Sequence, residues 1–267
     1  MKDVNLKPKK SLGQNFLTDK NIPDKIVRLS DINKTNDVLE IGPGLGALTV
    51  PLCDAANTVI AIELDFRLVE ELKATLEAHK NVTIIQGDVL KLDIRKLIAD
   101  KKHIYACANL PYNITTPVIT QLIETGIFEC ITVMVQKEVA QRICAKPGTP
   151  EYGAFSVYTN YHTTPEILFD VPPECFNPRP KVTSSVVKMT VRKKKPLKPE
   201  DEKLFFRVVK AAFGQRRKTL ANALHATFES THSKDEIIRV IENCGFDNKI
   251  RGEKLSINDF ILICNTL

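Results

Sequence analysis

The tetrapeptide Asn109-Leu110-Pro111-Tyr112 follows a short apolar run, Ile104 to Ala108, that reads as a buried strand. It places an amide, two main-chain carbonyls and an aromatic ring at a strand's C-terminal end, the edge where open α/β sheets bind ligands. An exocyclic purine amine, such as the N6 of adenine, needs hydrogen-bond acceptors in its plane and a flat surface beneath its ring. The Asn109 amide oxygen, the Leu110 carbonyl and the Tyr112 ring offer these. Taken alone, the segment reads equally well as a proline-bearing turn, with the asparagine as turn residue and the tyrosine as a half-buried wedge. Asn113, next to it, reads as a turn residue.

A second constellation lies upstream. Leu39-Glu40-Ile41-Gly42-Pro43-Gly44-Leu45-Gly46 closes one strand and opens a helix. Glycines there permit positive φ and close approach of the backbone to a ligand. Glu63 ends the next strand, where a carboxylate can accept both hydroxyls of a ribose. Gly42, Gly44 and Ala47 also satisfy the dinucleotide fingerprint G-x-G-x-x-A, so the loop alone fits either NAD or S-adenosylmethionine. Pro43 tilts the choice, because it removes a backbone N–H from a loop whose donors a pyrophosphate would need. Gln86-Gly87-Asp88-Val89 adds an acidic residue at the end of the third strand. Asp88 there can accept from an adenine N6, although Gly-Asp also suits a turn.

The elements that must position these residues follow from periodicity. The runs Val38–Ile41, Thr58–Ile62, Val82–Ile85, Ile104–Ala108 and Ile131–Val135 alternate with helical patterns such as Phe66–His79, where Leu68, Val69, Leu72 and Leu76 share a face. Alternation of this kind predicts βαβ units and a parallel sheet covered by helices. Tyr158–Phe169 and Val182–Val191 read as two further strands, antiparallel at the end of the sheet, because the proline-rich segment 171–180 between them has no helical period. Arg192-Lys193-Lys194-Lys195-Pro196 begins a charged linker. Beyond it Asp201–Phe213, Lys218–Phe228, Lys234–Cys244 and Ser256–Thr266 read as helices, with Ser233 and Ser256 or Asn258 as caps. The expected organisation is a domain over 1–195 and a small all-helical domain over 196–267.

Composition narrows the function classes. The seven cysteines are never closer than fourteen positions and the five histidines form no metal-binding pair, so no metal is expected and a reducing compartment, the cytoplasm, is. The lysines near the N-terminus precede no apolar core, and no stretch has the ~20 apolar residues of a membrane span. Charge is uneven. Residues 1–175 hold 19 Lys+Arg against 22 Asp+Glu, whereas residues 176–267 hold 19 against 10. A strongly basic back half predicts a polyanionic partner engaged mainly there.

Taken together, the glycine loop, Glu63, Gly87-Asp88 and Asn109-Leu110-Pro111-Tyr112 resemble class I methyltransferases acting on adenine N6. Three more segments narrow the resemblance: Gly13-Gln14-Asn15-Phe16-Leu17, Phe176-Asn177-Pro178-Arg179-Pro180-Lys181-Val182 and Phe213-Gly214-Gln215-Arg216-Arg217-Lys218-Thr219-Leu220. With them the chain is similar, over essentially its whole length, to the KsgA/Erm family of rRNA adenine N6,N6-dimethyltransferases. Leu110 and the segment after the linker favour the small-subunit (16S) branch over the Erm enzymes, which modify large-subunit rRNA.

The resemblance implies a Rossmann-like, seven-stranded, mostly parallel sheet with a helical C-terminal domain. It implies S-adenosyl-L-methionine as methyl donor and two adjacent adenosines in a hairpin near the 3′ end of 16S rRNA as target, within a pre-30S particle. It places Asn15, Leu17 and Gly44 against the cofactor, Gly42 at its aminoacyl end, Glu63 at the ribose, Asp88 at the adenine, and Asn109 at both the methionine side and the target amine. Leu110, Pro111 and Tyr112 complete the catalytic tetrapeptide, with Tyr112 and Phe176 expected to sandwich the target base. Lys137, Arg142, Arg179, Lys181, Arg216, Arg217 and Lys218 are the expected phosphate contacts, and the protein is expected to act as a monomer away from membranes. The other readings are an Erm-type or DNA adenine methyltransferase, a non-catalytic ribosome-assembly factor and a dehydrogenase. The last would leave the tetrapeptide and the basic back half unexplained.

Overall fold

A computed structural model of the chain describes residues 8–9, 12–195, 197, 199–215 and 217–267, without the side chains of residues 199 and 200. The elements in order are β1 (Phe16–Leu17), α1 (Asn21–Leu29), β2 (Asp37–Ile41), α2 (Thr49–Ala55), β3 (Thr58–Glu63), α3 (Phe66–Thr75), β4 (Val82–Gln86), α4 (Ile94–Leu97), β5 (Ile104–Asn109) and α5 (Thr115–Thr125). They continue as β6 (Phe128–Gln136), α6 (Lys137–Cys144), α7 (Ala154–His162), β7 (Thr163–Val171), β8 (Phe176–Asn177), β9 (Ser184–Val191), α8 (Pro199–Gly214), α9 (Leu220–Phe228), α10 (Lys234–Asn243) and α11 (Ile257–Thr266).

Seven strands form one sheet in the order β4-β3-β2-β5-β6-β9-β7. The pairs β2·β3, β3·β4, β2·β5 and β5·β6 are parallel, while β9 runs antiparallel to β6. The chain builds outward from β2 to β4, then returns to place β5 on β2's other side. That reversal opens a crevice at the strands' C-terminal ends. In register, Glu40 of β2 pairs with Cys107 of β5, so the glycine loop and the tetrapeptide leave neighbouring strands side by side. Every residue of β2 is buried, as expected for a strand covered on both faces.

The helices behave as their patterns dictate. In α3 the apolar face Leu68, Val69 and Leu72 is buried, and the Asp65 side chain caps the helix by accepting from the Arg67 N–H. The expected caps at Ser233 and Ser256 both form, with Glu236 and Asp259 completing the capping boxes.

Contacts divide the chain into two compact units. One comprises the described residues through Ala140 together with Pro165–Val191, and the other Gln141–Thr164 with the described residues from Arg192 onward. Against the expected cut after residue 195, the segment 141–164 thus joins the helical unit. The first half of the expected strand Tyr158–Phe169 is helical, as the end of α7. Its aromatic residues prefer strands intrinsically, but Tyr161 stacks on Phe205 with ring centroids 4.9 Å apart and belongs to the helical unit's core with Tyr152, Phe205 and Phe260. Tertiary packing overrides propensity here. Among the described residues no helix is long and apolar enough to cross a membrane.

Candidate active site

A cleft of about 1210 Å³ lies at the C-terminal ends of β2, β3 and β5. Asn15, Leu17, Gly42, Gly44, Glu63, Asp88, Asn109, Leu110, Pro111 and Tyr112 all line it. The sheet's topology gathers these residues from a span of almost a hundred positions.

The glycine loop is built tightly. Gly42, Gly44 and Gly46 all have positive φ, which side-chain-bearing residues adopt only at a cost. A Cβ on Gly44 would also stand 3.2 Å from the Phe16 ring. Three amides of the loop are already engaged. Gly42 N–H donates to the Ile62 carbonyl at 2.9 Å, Gly44 N–H to Glu63 Oε2 at 3.1 Å and Gly46 N–H to the Pro43 carbonyl at 3.0 Å. Pro43 has no N–H. A pyrophosphate would need those donors free, so the loop suits a ligand without phosphate at this point.

Among the charged residues of the wall, acidic groups outnumber basic ones. Glu63 is 5 % exposed and accepts from the Gly44 and Asp65 N–H groups. Burial raises its pKa, and the backbone donors pull it back. Glu40 is more extreme: it lines the cleft at 1 % exposure, and its Oε2 has no hydrogen-bond partner. Burial pushes its pKa up to about 8, with the neighbouring Thr49 side chain lowering it and the Glu63 charge raising it further. A buried acceptor without a donor at the cleft wall matches a ligand that carries positive charge. The sequence showed the signal, a glutamate inside the apolar run Val38–Ile41, but the glycines beside it drew the chemistry away. Asp88 accepts from the Leu90 N–H at 3.1 Å. Its turn role and its place on the cleft wall therefore coexist.

The N-terminal segment closes one side. β1 pairs antiparallel with β8, matching Phe16 with Asn177 and Leu17 with Phe176. Asp65, its side chain fully buried, accepts from Arg67 at 2.7 Å, Gln14 at 3.3 Å and Lys9 at 3.4 Å. These bonds hold its pKa far below the usual carboxylate range, the Arg67 bond first. Asp65 was not among the expected site residues, and nothing local to Leu64-Asp65-Phe66 announces that a segment fifty residues upstream docks on it.

Asn109 Nδ2 donates to the Asn15 carbonyl at 3.2 Å. That bond fixes which end of the amide is which and leaves Oδ1 as an acceptor. Leu110 is buried and its N–H is taken by the Met134 carbonyl. Tyr112 is half-buried, and its hydroxyl shares a 2.7 Å hydrogen bond with the Ser184 hydroxyl. Phe176 departs from expectation. At 2 % exposure it belongs to the apolar core of its unit and does not line the cleft. Its ring is packed into the core, whereas the expected stacking role calls for a face open to the cleft.

The expected phosphate contacts are divided between the units. Arg179 and Lys181 in the first, and Arg142, Arg217 and Lys218 in the second, are exposed. Lys137 is paired with Asp170 at 2.6 Å, and Arg216 lies outside the described residues. In the helical unit Lys146, Arg192, Lys194 and Lys195 line a concavity of about 560 Å³. Lys195 shares its charge with Glu202 at 3.0 Å. Among the described residues no group of three or more His, Cys, Asp or Glu side chains is placed to hold a metal ion.

Comparison with known proteins gives this geometry a context. The profile of the ribosomal RNA adenine dimethylase family matches residues 5–267. A protein named ribosomal RNA small subunit methyltransferase A from Lachnoclostridium phytofermentans is 44% identical over 263 residues, covering 97% of this chain and 91% of its own length. One of the same name from Streptococcus thermophilus is 47% identical over 265 residues, with the same coverage of 97% and 91%. Among solved structures, a dimethyladenosine transferase from Plasmodium falciparum aligns with a TM-score of 0.82 at 29% identity, covering 93% of this chain and 95% of that one. The 23S rRNA methyltransferase ErmE aligns with a TM-score of 0.74 at 22% identity, covering 95% and 99%, a likeness of fold.

Proposed function

This chain belongs to the ribosomal RNA adenine dimethylase family, and from that premise we infer how its cleft carries out methyl transfer to adenine N6 and which RNA it serves. It is an rRNA adenine dimethyltransferase. Its substrate is small-subunit rRNA, with two adjacent adenosines in a hairpin near the 3′ end as target, presented in a pre-30S particle in the cytoplasm to a monomeric enzyme. The names of relatives above 40% identity support the small-subunit reading over the large-subunit one.

The observation that carries the mechanism is the orientation of Asn109. Its Nδ2 is held by the Asn15 carbonyl, so Oδ1 is an acceptor waiting at the strand end. A purine amine has its lone pair delocalised into the ring and is a weak nucleophile. Asn109 Oδ1 and the Leu110 carbonyl hold that amine, favour its pyramidal form and stabilise the positive charge that develops on nitrogen. Tyr112 stacks on the extruded base, and such stacking is worth ~1–3 kcal/mol.

S-adenosylmethionine, when bound, supplies a methyl group on a sulfonium, electrophilic enough that no strong base is required. Glu63 would hold its ribose hydroxyls and Asp88 its adenine amine, with the Glu40 carboxyl on the cleft wall beside the glycine loop. The engaged amides of Gly42, Gly44 and Gly46 support this donor over a dinucleotide. Arg179 and Lys181 on one unit, and the Lys146, Arg192 and Lys194 concavity with Arg217 and Lys218 on the other, contact phosphates.

Asn109→Ala tests the mechanism. Methyl transfer should fall at least a hundredfold, while affinity for S-adenosylmethionine, measured by calorimetry, stays within a few-fold of wild type. Near-normal turnover in that variant would remove the assignment.

A further inference from the structure

We propose that Ser184 is a positioning residue for the Tyr112 ring, a hydroxyl clamp set in the sheet that holds the ring ready for the target base. The proposal rests on the reading of Tyr112 as the stacking surface. Tyr112 leaves the end of β5 on a short turn, with its ring at the cleft and its hydroxyl bonded to Ser184 Oγ at 2.7 Å. A tyrosine on a turn rotates about two side-chain bonds, and the Ser184 bond ties its hydroxyl end.

Ser184 is well placed to act as the fixed end. It is fully buried, opens β9 and pairs in register with Gln136 of β6. The preceding residue accepts from the Lys137 N–H at 2.9 Å, so the backbone on both sides of Ser184 is locked into the sheet. Ser185, the next residue, points to the other face, where its hydroxyl donates to Asp170 at 2.6 Å. The two serines therefore do separate work: one ties a cleft aromatic, the other the Asp170 that pairs with Lys137. Burial raises the Tyr112 pKa, and the Ser184 bond pulls it back. The phenol stays neutral at working pH and the bond is one between hydroxyls.

A ring already held in its stacking orientation loses less freedom when the base arrives. The clamp thus favours RNA engagement, and Ser184 itself does not line the cleft. Kinetics of Ser184→Ala, Tyr112→Phe and the double variant test this. Each single variant should raise KM for the RNA about three- to tenfold, the effect of one buried hydrogen bond. Affinity for S-adenosylmethionine should stay near wild type, and the melting temperature should drop by only a few degrees, the loss of one hydrogen bond. The double variant should be no worse than either single one, because both remove the same bond. Effects that multiply in the double variant, or wild-type KM in Ser184→Ala, would overturn the clamp.

Ring dynamics give a reading independent of the substrate. In NMR spectra of the protein, Ser184→Ala should speed Tyr112 ring flipping and broaden its orientation, whereas unchanged ring behaviour would overturn the proposal. If the wild type transferred no methyl group to small-subunit rRNA, the functional reading would fall while the ring measurement still decided the clamp.

Discussion

Replacing Glu40 by glutamine should remove a loss of stability that grows as pH rises from acid to alkaline, at a fixed cost for the buried amide. Glu40 ionises at about 8 in the folded protein against 4.5 for a free side chain. Between those values the folded state keeps a proton that the unfolded state has lost, so stability falls as pH rises. At ~1.4 kcal/mol per pH unit, this one group costs on the order of 3 kcal/mol at pH 7 and 4 kcal/mol at pH 8. Below pH 4.5 both states are protonated and the cost vanishes. Glutamine keeps the shape but does not titrate. Its amide still needs a partner where Oε2 has none, a penalty of about 1–3 kcal/mol that is the same at every pH. The readout is therefore the gap between two curves. Urea unfolding of wild type and Glu40→Gln from pH 4.5 to 8.5 should give a gap that shifts in favour of the variant by several kcal/mol. Parallel curves would refute the account of Glu40 as a buried, strained acid. A group kept at this cost beside the glycine loop has a use, and the same variant should weaken S-adenosylmethionine binding. Binding to the wild type at pH 7 should release a proton, visible as an enthalpy that depends on the buffer.

Three other outcomes follow from the site. Asp65→Asn removes the charge that holds Lys9, Gln14 and Arg67, so hydrogen exchange in residues 12–17 should quicken and cofactor affinity should fall by about tenfold; unchanged exchange would show that β1 alone holds the segment. Gly44→Ala adds a Cβ 3.2 Å from the Phe16 ring at positive φ, and should cost ~1–2 kcal/mol of stability by denaturant titration together with most cofactor binding. Affinity for rRNA should fall steeply with salt, by a slope of about −0.7 to −0.9 per phosphate neutralised. Paired removal of Lys146 and Lys194 should flatten that slope, and a wild-type constant indifferent to salt would argue against the basic surface.

The sheet was legible because its signals are local. Short apolar runs such as Thr58–Ile62 and the face Leu68, Val69, Leu72 carry their own periodicity, and the residues at strand ends follow from topology. Legibility stopped where long-range packing decides. Tyr158 and Tyr161 look like strand residues until Phe205 and Phe206 are brought against them. Phe176 sits in a motif and reads as a stacking ring, but pairing of β8 with β1 turns it into the core. Ser184 and Asp65 carry no signal of their own, since each acts on a residue more than forty positions away. Glu40 was visible as a charge in an apolar run, but only its burial shows what that charge costs.

The most direct test of the whole account is mass spectrometry of rRNA after incubation with the purified protein and S-adenosylmethionine. Immature small subunits should gain four methyl groups on two adjacent adenosines near the 3′ end of 16S rRNA. No methylation of those particles, or transfer instead to an adenine of protein-free large-subunit rRNA, would contradict it.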